Sequence, residues 1–258
     1  MEYRIPLTPQ IPYTEIQQQE TRIIMNMLNK LITGGTSNRR SRLYTETGLR
    51  VSTQNMLDAP QAILGWMLKK SVNYRSARPW IPLPAIRKLA HLISPSWNVL
   101  EFGCGTSTIW FSAKAGSVTS VEHNPEWHNY TNQRIQSSGC QNVTLLLRPE
   151  TEYVPNPVDL PHADFDLIVI DGIQRDRCAD LATQLVKPDG YIYLDNCDQE
   201  STRTEGGMPH AVSRTLSICT DPDQDAQTLV GFPPTEVFVT AGLLARNTAG
   251  LTKAAPHG

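Results

Sequence analysis

The chain has 258 residues, 40% of them apolar and 19% charged, with a formal net charge of −2. That length suits one α/β domain with an elaborated terminus, or one domain plus a small cap, and the apolar share is enough for an ordinary globular core. The small net charge gives no electrostatic reason to expect nucleic-acid binding, and no apolar run approaches the ~20 residues of a membrane helix.

In chain order, three prolines make residues 1–13 irregular. Thr14-Glu-Ile-Gln17 is a capping box, and Ile16, Ile23, Ile24, Met27, Leu28, Leu31 and Ile32 recur at helical spacing before Gly34-Gly35. Polar residues from Thr36 to Gln54 predict a loop, and a second helix starts near Asp58, with Pro60 in its first turn, and runs to about Lys70. A proline-studded aromatic segment, Tyr74 to Pro84, precedes a helix over about Ala85–Leu92. Strands then alternate with helices: Asn98–Phe102, Ser117–Glu122, Asn142–Leu147, Asp166–Asp171 and Tyr191–Asp195, with helices from Ser107, Pro125 and about Cys178. Such alternation implies a parallel sheet. Thr235–Thr240 alternates as a late strand, and Ala249–Gly258 reads as a frayed tail.

Five cysteines (Cys104, Cys140, Cys178, Cys197, Cys219) form no Cys-x-x-Cys pair, which suits reduced thiols. Met1-Glu-Tyr-Arg-Ile-Pro lacks the features of a signal peptide, so a cytoplasmic protein is expected.

The chemistry concentrates in Val99-Leu-Glu-Phe-Gly-Cys-Gly-Thr-Ser-Thr108 and in Glu122, which lies 19 residues beyond Gly103. Strand, glycine turn, helix and a second strand tipped by an acid form a nucleotide-binding βαβ unit. Gly103 and Gly105 let backbone approach a ligand, the helix N-terminus offers free N–H groups, and Glu122 can accept both hydroxyls of a ribose. Thr108 stands where a dinucleotide fingerprint has its third glycine, and Glu101 where it has an apolar residue.

The acid-x-Gly-x-Gly turn resembles motif I of the class I S-adenosylmethionine-dependent methyltransferases. Phe165-Asp-Leu-Ile-Val-Ile-Asp-Gly172 resembles their motif IV, and Leu185–Asn196 the motif around their fifth strand. The resemblance spans roughly Arg78 to Ala241. It implies an α/β fold with a doubly wound, mostly parallel seven-stranded sheet, order 3-2-1-4-5-7-6, and Thr235–Thr240 as the antiparallel seventh strand. An N-terminal helical extension (residues 1–77) would cap a catalytic domain (78–246), followed by a flexible tail (247–258).

For S-adenosylmethionine the resemblance implies a site built from Glu101, Gly103, Cys104, Gly105, Thr106, Ser107, Thr108, Glu122 and His123, with Asp171 at the end of the fourth strand and Trp80 as a cover. Asp195-Asn196 lies 24 residues beyond Asp171. This spacing resembles metal-dependent small-molecule O-methyltransferases, in which such residues hold Mg²⁺. Asp171, Asp195 and Asn196 are therefore candidate metal ligands, with Asp171 and Asp195 as catalytic groups. The alternative is that both aspartates shape the acceptor pocket without metal, and His210 then serves as general base. The acceptor implied is a small molecule or peptide-like metabolite bearing a hydroxyl or carboxylate, with a homodimer as a further expectation. Competing readings are a nicotinamide-dependent oxidoreductase, an aminopropyltransferase and a non-catalytic binding module.

Overall fold

The computed structural model describes residues 39–74, 76–161, 164–199 and 207–254. Its strands are β1 (Asn98–Phe102), β2 (Ser117–Glu122), β3 (Val143–Leu147), β4 (Phe165–Ile170), β5 (Val186–Leu194), β6 (Ala226–Gly231) and β7 (Thr240–Arg246). They form one sheet in the order β3-β2-β1-β4-β5-β7-β6, with β7 antiparallel to both neighbours. β1 and β4 are buried almost throughout because helices cover both faces of a parallel sheet.

The helices are α1 (Thr53–Met56), α2 (Ala59–Val72), α3 (Leu83–Leu92), α4 (Thr106–Ser112), α5 (Pro125–Ser137), α6 (Arg175–Leu185), α7 (Gly207–Leu216), α8 (Pro222–Asp225) and α9 (Ala249–Ala254). Side chains of successive strand residues point to opposite faces. Leu100, Phe102, Ile168 and Ile170 pack with Cys178, Ala179 and Ala182 of α6. Val99, Leu167, Val169 and Tyr193 pack with Leu83, Ile86 and Leu89 of α3 and Phe111 of α4. The start of α5 is fixed locally: Asn124 accepts from the amides of Glu126 and Trp127, and Pro125 occupies the first turn.

Several expectations shift. Thr235–Thr240 is not the seventh strand, which is Thr240–Arg246. Its alternating residues are buried elsewhere: Val239 packs with Val51, Ala62 and Phe232, and its amide donates to the Arg42 carbonyl. The true β7 lies between two strands with both faces buried, so it carries no polar alternation to read. The sixth strand, Ala226–Gly231, escaped the sequence reading. Residues 249–254, expected as tail, form α9, whose first amide donates to the Ile218 carbonyl. The capping box and helical periodicity over residues 14–32 lie outside the described residues. No helix among the described residues is long and apolar enough to cross a membrane.

Candidate active site

The carboxyl ends of β1, β2 and β4 open onto a cavity of about 460 Å³, within the ~300–1,000 Å³ range of small-ligand sites. Gly103 begins the turn after β1 with φ +96°, a conformation side chains rarely adopt. A Cβ there would lie 3.0 Å from the Gly172 nitrogen and 3.1 Å from the Asp171 carbonyl, so the turns after β1 and β4 touch through bare backbone. Gly105 is less constrained: a Cβ would meet only the Trp127 indole, at 3.6 Å. Trp127 Nε1 donates to the Cys104 carbonyl and fixes this wall. On the far side, Thr106 Oγ1 donates to the Arg78 carbonyl (3.2 Å), tying the Trp80 segment to the turn.

The four carboxylates of this edge are held in three ways. Glu122 Oε1 accepts from the amides of His123 (2.9 Å) and Asn124 (2.8 Å), and Oε2 from the amide of Cys104 (3.2 Å). Oε2 keeps acceptor capacity, since a carboxylate offers about four lone-pair positions. Glu101, 1% exposed, lies beneath the turn. Its Oε2 accepts from Thr108 Oγ1 (2.5 Å) and Ser120 Oγ (2.6 Å), while Oε1 has no geometric partner. Burial pushes this carboxyl up to about 7, against the pull of nearby hydroxyls.

The third is the Asp171–Asp195 pair. Asp171 N donates to the Phe102 carbonyl and Asp195 N to the Ile170 carbonyl, which steps the two residues along adjoining strand ends. Burial, then the charge of Asp171, pushes Asp195 well above the usual carboxylate range, and Tyr193 donates to its Oδ1 at 2.8 Å. Burial also raises Asp171, and the adjacent Arg175 and a hydrogen bond with Asp195 oppose that rise. Arg175 is the decisive neighbour. Its Nε donates to the Gly172 carbonyl (2.9 Å), and Nη2 to Asp171 Oδ1 (3.1 Å) and the Asp171 carbonyl (3.2 Å). Nη1 donates to the Asp195 carbonyl, and both terminal nitrogens lie 3.4 Å from Asn196 Oδ1.

The model of a family described as a methyltransferase domain matches residues 93–229, more than half of the chain. The chain belongs to the class I S-adenosylmethionine-dependent methyltransferases. No curated protein matches it in sequence. Among solved structures, an O-methyltransferase from Bacillus cereus in complex with SAH superposes with TM-score 0.54 at 17% identity, covering 76% of this chain and 97% of that one. The O-methyltransferase TomG from Streptomyces achromogenes, involved in tomaymycin synthesis and solved with SAM, gives TM-score 0.52 at 17% identity, covering 76% and 96%. At such identities the likeness establishes the fold alone. The family match favours methyl transfer over the nicotinamide-dependent and non-catalytic readings.

Of the residues named from the sequence, Trp80, Gly103, Cys104, Gly105, Thr106, Ser107, Glu122, His123 and Asp171 lie on the wall of this methyltransferase's cavity. Glu101 and Thr108 are not on its wall. Glu101 sits within β1 opposite Ser120 of β2, and it clamps the first turn of α4 through Thr108. His210 is also elsewhere: it lies on α7 with Nε2 3.1 Å from the Asp180 carboxylate of α6, and it does not line the cavity. Asp195, 2% exposed, stands behind Asp171 rather than on the wall. The sequence reading did not name Asn124, Trp127, Gly172 and Ile173 as lining residues, and it noted Arg175 only as part of the segment Gly172–Arg177 that departs from the family's pattern after the fourth strand. Asn124-Pro125 is legible as a helix cap two residues beyond Glu122; nothing in the spacing points to Trp127, and the departure at Gly172–Arg177 is the one signal for Arg175.

The expected Mg²⁺ ligands do not fit that role as they stand. Asp171 Oδ1, the Asp171 and Asp195 carbonyls and Asn196 Oδ1 all accept from one guanidinium, and the Asp195 carboxylate accepts from the Tyr193 hydroxyl.

Proposed function

We propose that the protein transfers the methyl group of S-adenosylmethionine to an oxygen, hydroxyl or carboxylate, of a small-molecule or peptide-like acceptor. The observation that carries this reading is the placing of two carboxylates, Glu122 and Asp171, on the wall of one cavity, with the glycine turn between them. The cavity suits S-adenosylmethionine chemically: Glu122 matches a ribose diol, and the Thr106 and Ser107 hydroxyls match the polar groups of an amino acid. Trp80 and Trp127 supply apolar wall. The two solved O-methyltransferases of the same fold support an oxygen acceptor.

When bound, the sulfonium supplies an electrophilic methyl carbon. The protein's own work is alignment and proton removal. Gly103 brings the turn after β1 into contact with the turn after β4, which fixes the distance between the two carboxylates. Asp171 is the proton acceptor: its side chain is 34% exposed and faces the cavity, whereas Glu122 is committed to backbone amides. Residues 1–77 serve as the acceptor-side cap on a catalytic domain of residues 78–246. Lys69 of α2 supports this, lying 4.6 Å above the Trp80 ring and pairing with Glu236 at 2.6 Å.

A screen for isotope transfer from methyl-labelled S-adenosylmethionine into metabolite extracts tests the reading. The expected product carries the label on oxygen, as an alkali-labile ester or a stable ether. Label found only on nitrogen or carbon refutes the oxygen acceptor. Absence of S-adenosylmethionine binding by calorimetry refutes the cavity assignment.

A further inference from the structure

We infer that Arg175 is the resident cation of the acceptor edge: its guanidinium stands where the Asp171, Asp195 and Asn196 layout calls for a divalent ion, and it holds Asp171 in place for a metal-independent methyl transfer. The inference deepens the methyltransferase reading and rests on it for the word transfer, though not for the cation.

The geometry is that of a filled site. A guanidinium has five N–H donors in a planar fork. Here all three nitrogens donate, and every acceptor comes from two short segments, residues 171–172 after β4 and 195–196 after β5. Bare carbonyls of Asp171, Gly172 and Asp195 join the Asp171 carboxylate and the Asn196 amide oxygen, an oxygen-only set of the kind hard cations take. Mg²⁺ demands oxygens at about 2.0–2.1 Å in near-octahedral array, and it could enter only by expelling the arginine. The arginine is not a loose surface group: its side chain is 18% exposed. Gln174, at φ +49°, turns the chain so that Arg175 opens α6 directly over the two strand ends.

A fixed fork does what a metal would do for alignment. It joins the ends of β4 and β5, offsets the charge of the aspartate pair, and orients Asp171 towards the cavity it lines. It does not lend the acceptor oxygen a Lewis acid, because its donors are spent on the protein. Arg175 is thus a positioning residue, and the proton goes to Asp171.

Electron paramagnetic resonance of Mn²⁺ titrated into the purified full chain is the test. Wild type should leave the free-ion spectrum unchanged at millimolar Mn²⁺, with or without S-adenosylmethionine. Arg175→Ala should take up Mn²⁺ with at least tenfold higher affinity, and adding Asp171→Asn should abolish that uptake. Uptake by wild type that Asp171→Asn removes overturns the inference, as does a folded Arg175→Ala that takes up none. Should Arg175→Ala fail to fold, wild type decides alone: label transfer into extract should persist in EDTA, and loss restored by Mg²⁺ overturns the inference. A merely structural arginine is distinguished by chemical rescue. Methylguanidine should restore transfer to Arg175→Ala at least tenfold where ammonium does not; equal failure of both overturns the positioning role. Failure of the methyltransferase reading itself would appear separately, as wild type that does not bind S-adenosylmethionine in calorimetry.

Discussion

The two halves of one sheet edge solve the same problem in different ways. At β1 and β2, buried carboxylates are held by local neutral donors: Glu122 by amides of Cys104, His123 and Asn124, and Oε2 of Glu101 by the hydroxyls of Thr108 and Ser120. At β4 and β5, the Asp171–Asp195 pair is held by a charged side chain from the next helix. Amides and hydroxyls leave an acceptor free to meet a ligand, whereas a guanidinium fills the space and fixes the register of two strands. The contrast implies a first half built to bind and a second half built to align.

The sharpest way to break that comparison is Gly103→Val. The new side chain would collide with the backbone of Asp171 and Gly172 and would adopt a disfavoured φ, so both halves should suffer together. Calorimetry should find no S-adenosylmethionine binding, with a stability loss of about 2–4 kcal/mol in denaturant melts. Gly105→Ala is the control: its Cβ meets an indole at ordinary contact distance, and the fold should keep its stability within about 1 kcal/mol. Equal damage from the two changes would dissolve the distinction between them.

Glu122→Ala comes next. Loss of a charge-assisted contact to two hydroxyls is expected to weaken S-adenosylmethionine binding at least tenfold, about 1.5–3 kcal/mol. The freed amides of His123 and Asn124 should also lower the melting temperature, which an effect confined to the ligand would not do. Affinity unchanged in folded protein removes Glu122 from the site.

The same contrast governs what was legible in the sequence. The first half is encoded within some 25 consecutive residues, where strand, turn, helix and terminal acid have fixed spacing, so nearly all its wall was named in advance. Glu101 and Thr108 lie off the cavity wall: Glu101 sits within β1 and clamps Thr108 in the first turn of α4, which a motif read as a string does not register. In the second half, Asp171 and Asp195-Asn196 were found at strand ends. Arg175 was not, since its role depends on the left-handed turn at Gln174 and on the approach of β5. The late strands failed for a related reason: Thr240–Arg246 is buried on both faces and presents no period of two.

Glu101 sharpens the comparison through pH. Its folded-state value of about 7 lies above the ordinary 4.5, so the folded protein holds the proton more tightly than the unfolded chain. The stability from this group is fully present below pH 4.5 and is lost as pH rises through about 7. Glu101→Gln, permanently neutral, should escape that loss. Wild type should fall relative to the variant by up to about 3 kcal/mol between pH 5 and 8 in parallel denaturant melts. A difference that stays flat with pH would mean that the hydroxyls of Thr108 and Ser120 suffice to keep the buried charge.

The smallest effect is expected at His210, the residue that a metal-free mechanism first suggested as its base. Its imidazole faces the Asp180 carboxylate at 3.1 Å, and Arg214 holds the same carboxylate at 2.7 Å. The side chains of His210 and Asp180 are 41% and 44% exposed, so solvent screens the pair. Exposed ion pairs contribute about 0–1 kcal/mol, and Arg214 remains to satisfy Asp180 when the imidazole is removed. His210→Ala should therefore change stability by less than about 1 kcal/mol and leave label transfer within twofold of wild type. Asp171→Asn, in contrast, removes the proton acceptor that lines the cavity and should reduce transfer by about a hundredfold or more while S-adenosylmethionine still binds through the β1 and β2 side. If instead His210→Ala is inactive and Asp171→Asn active, the reacting oxygen sits over α7, and the aligning half of the edge lies one helix away from the ends of β4 and β5.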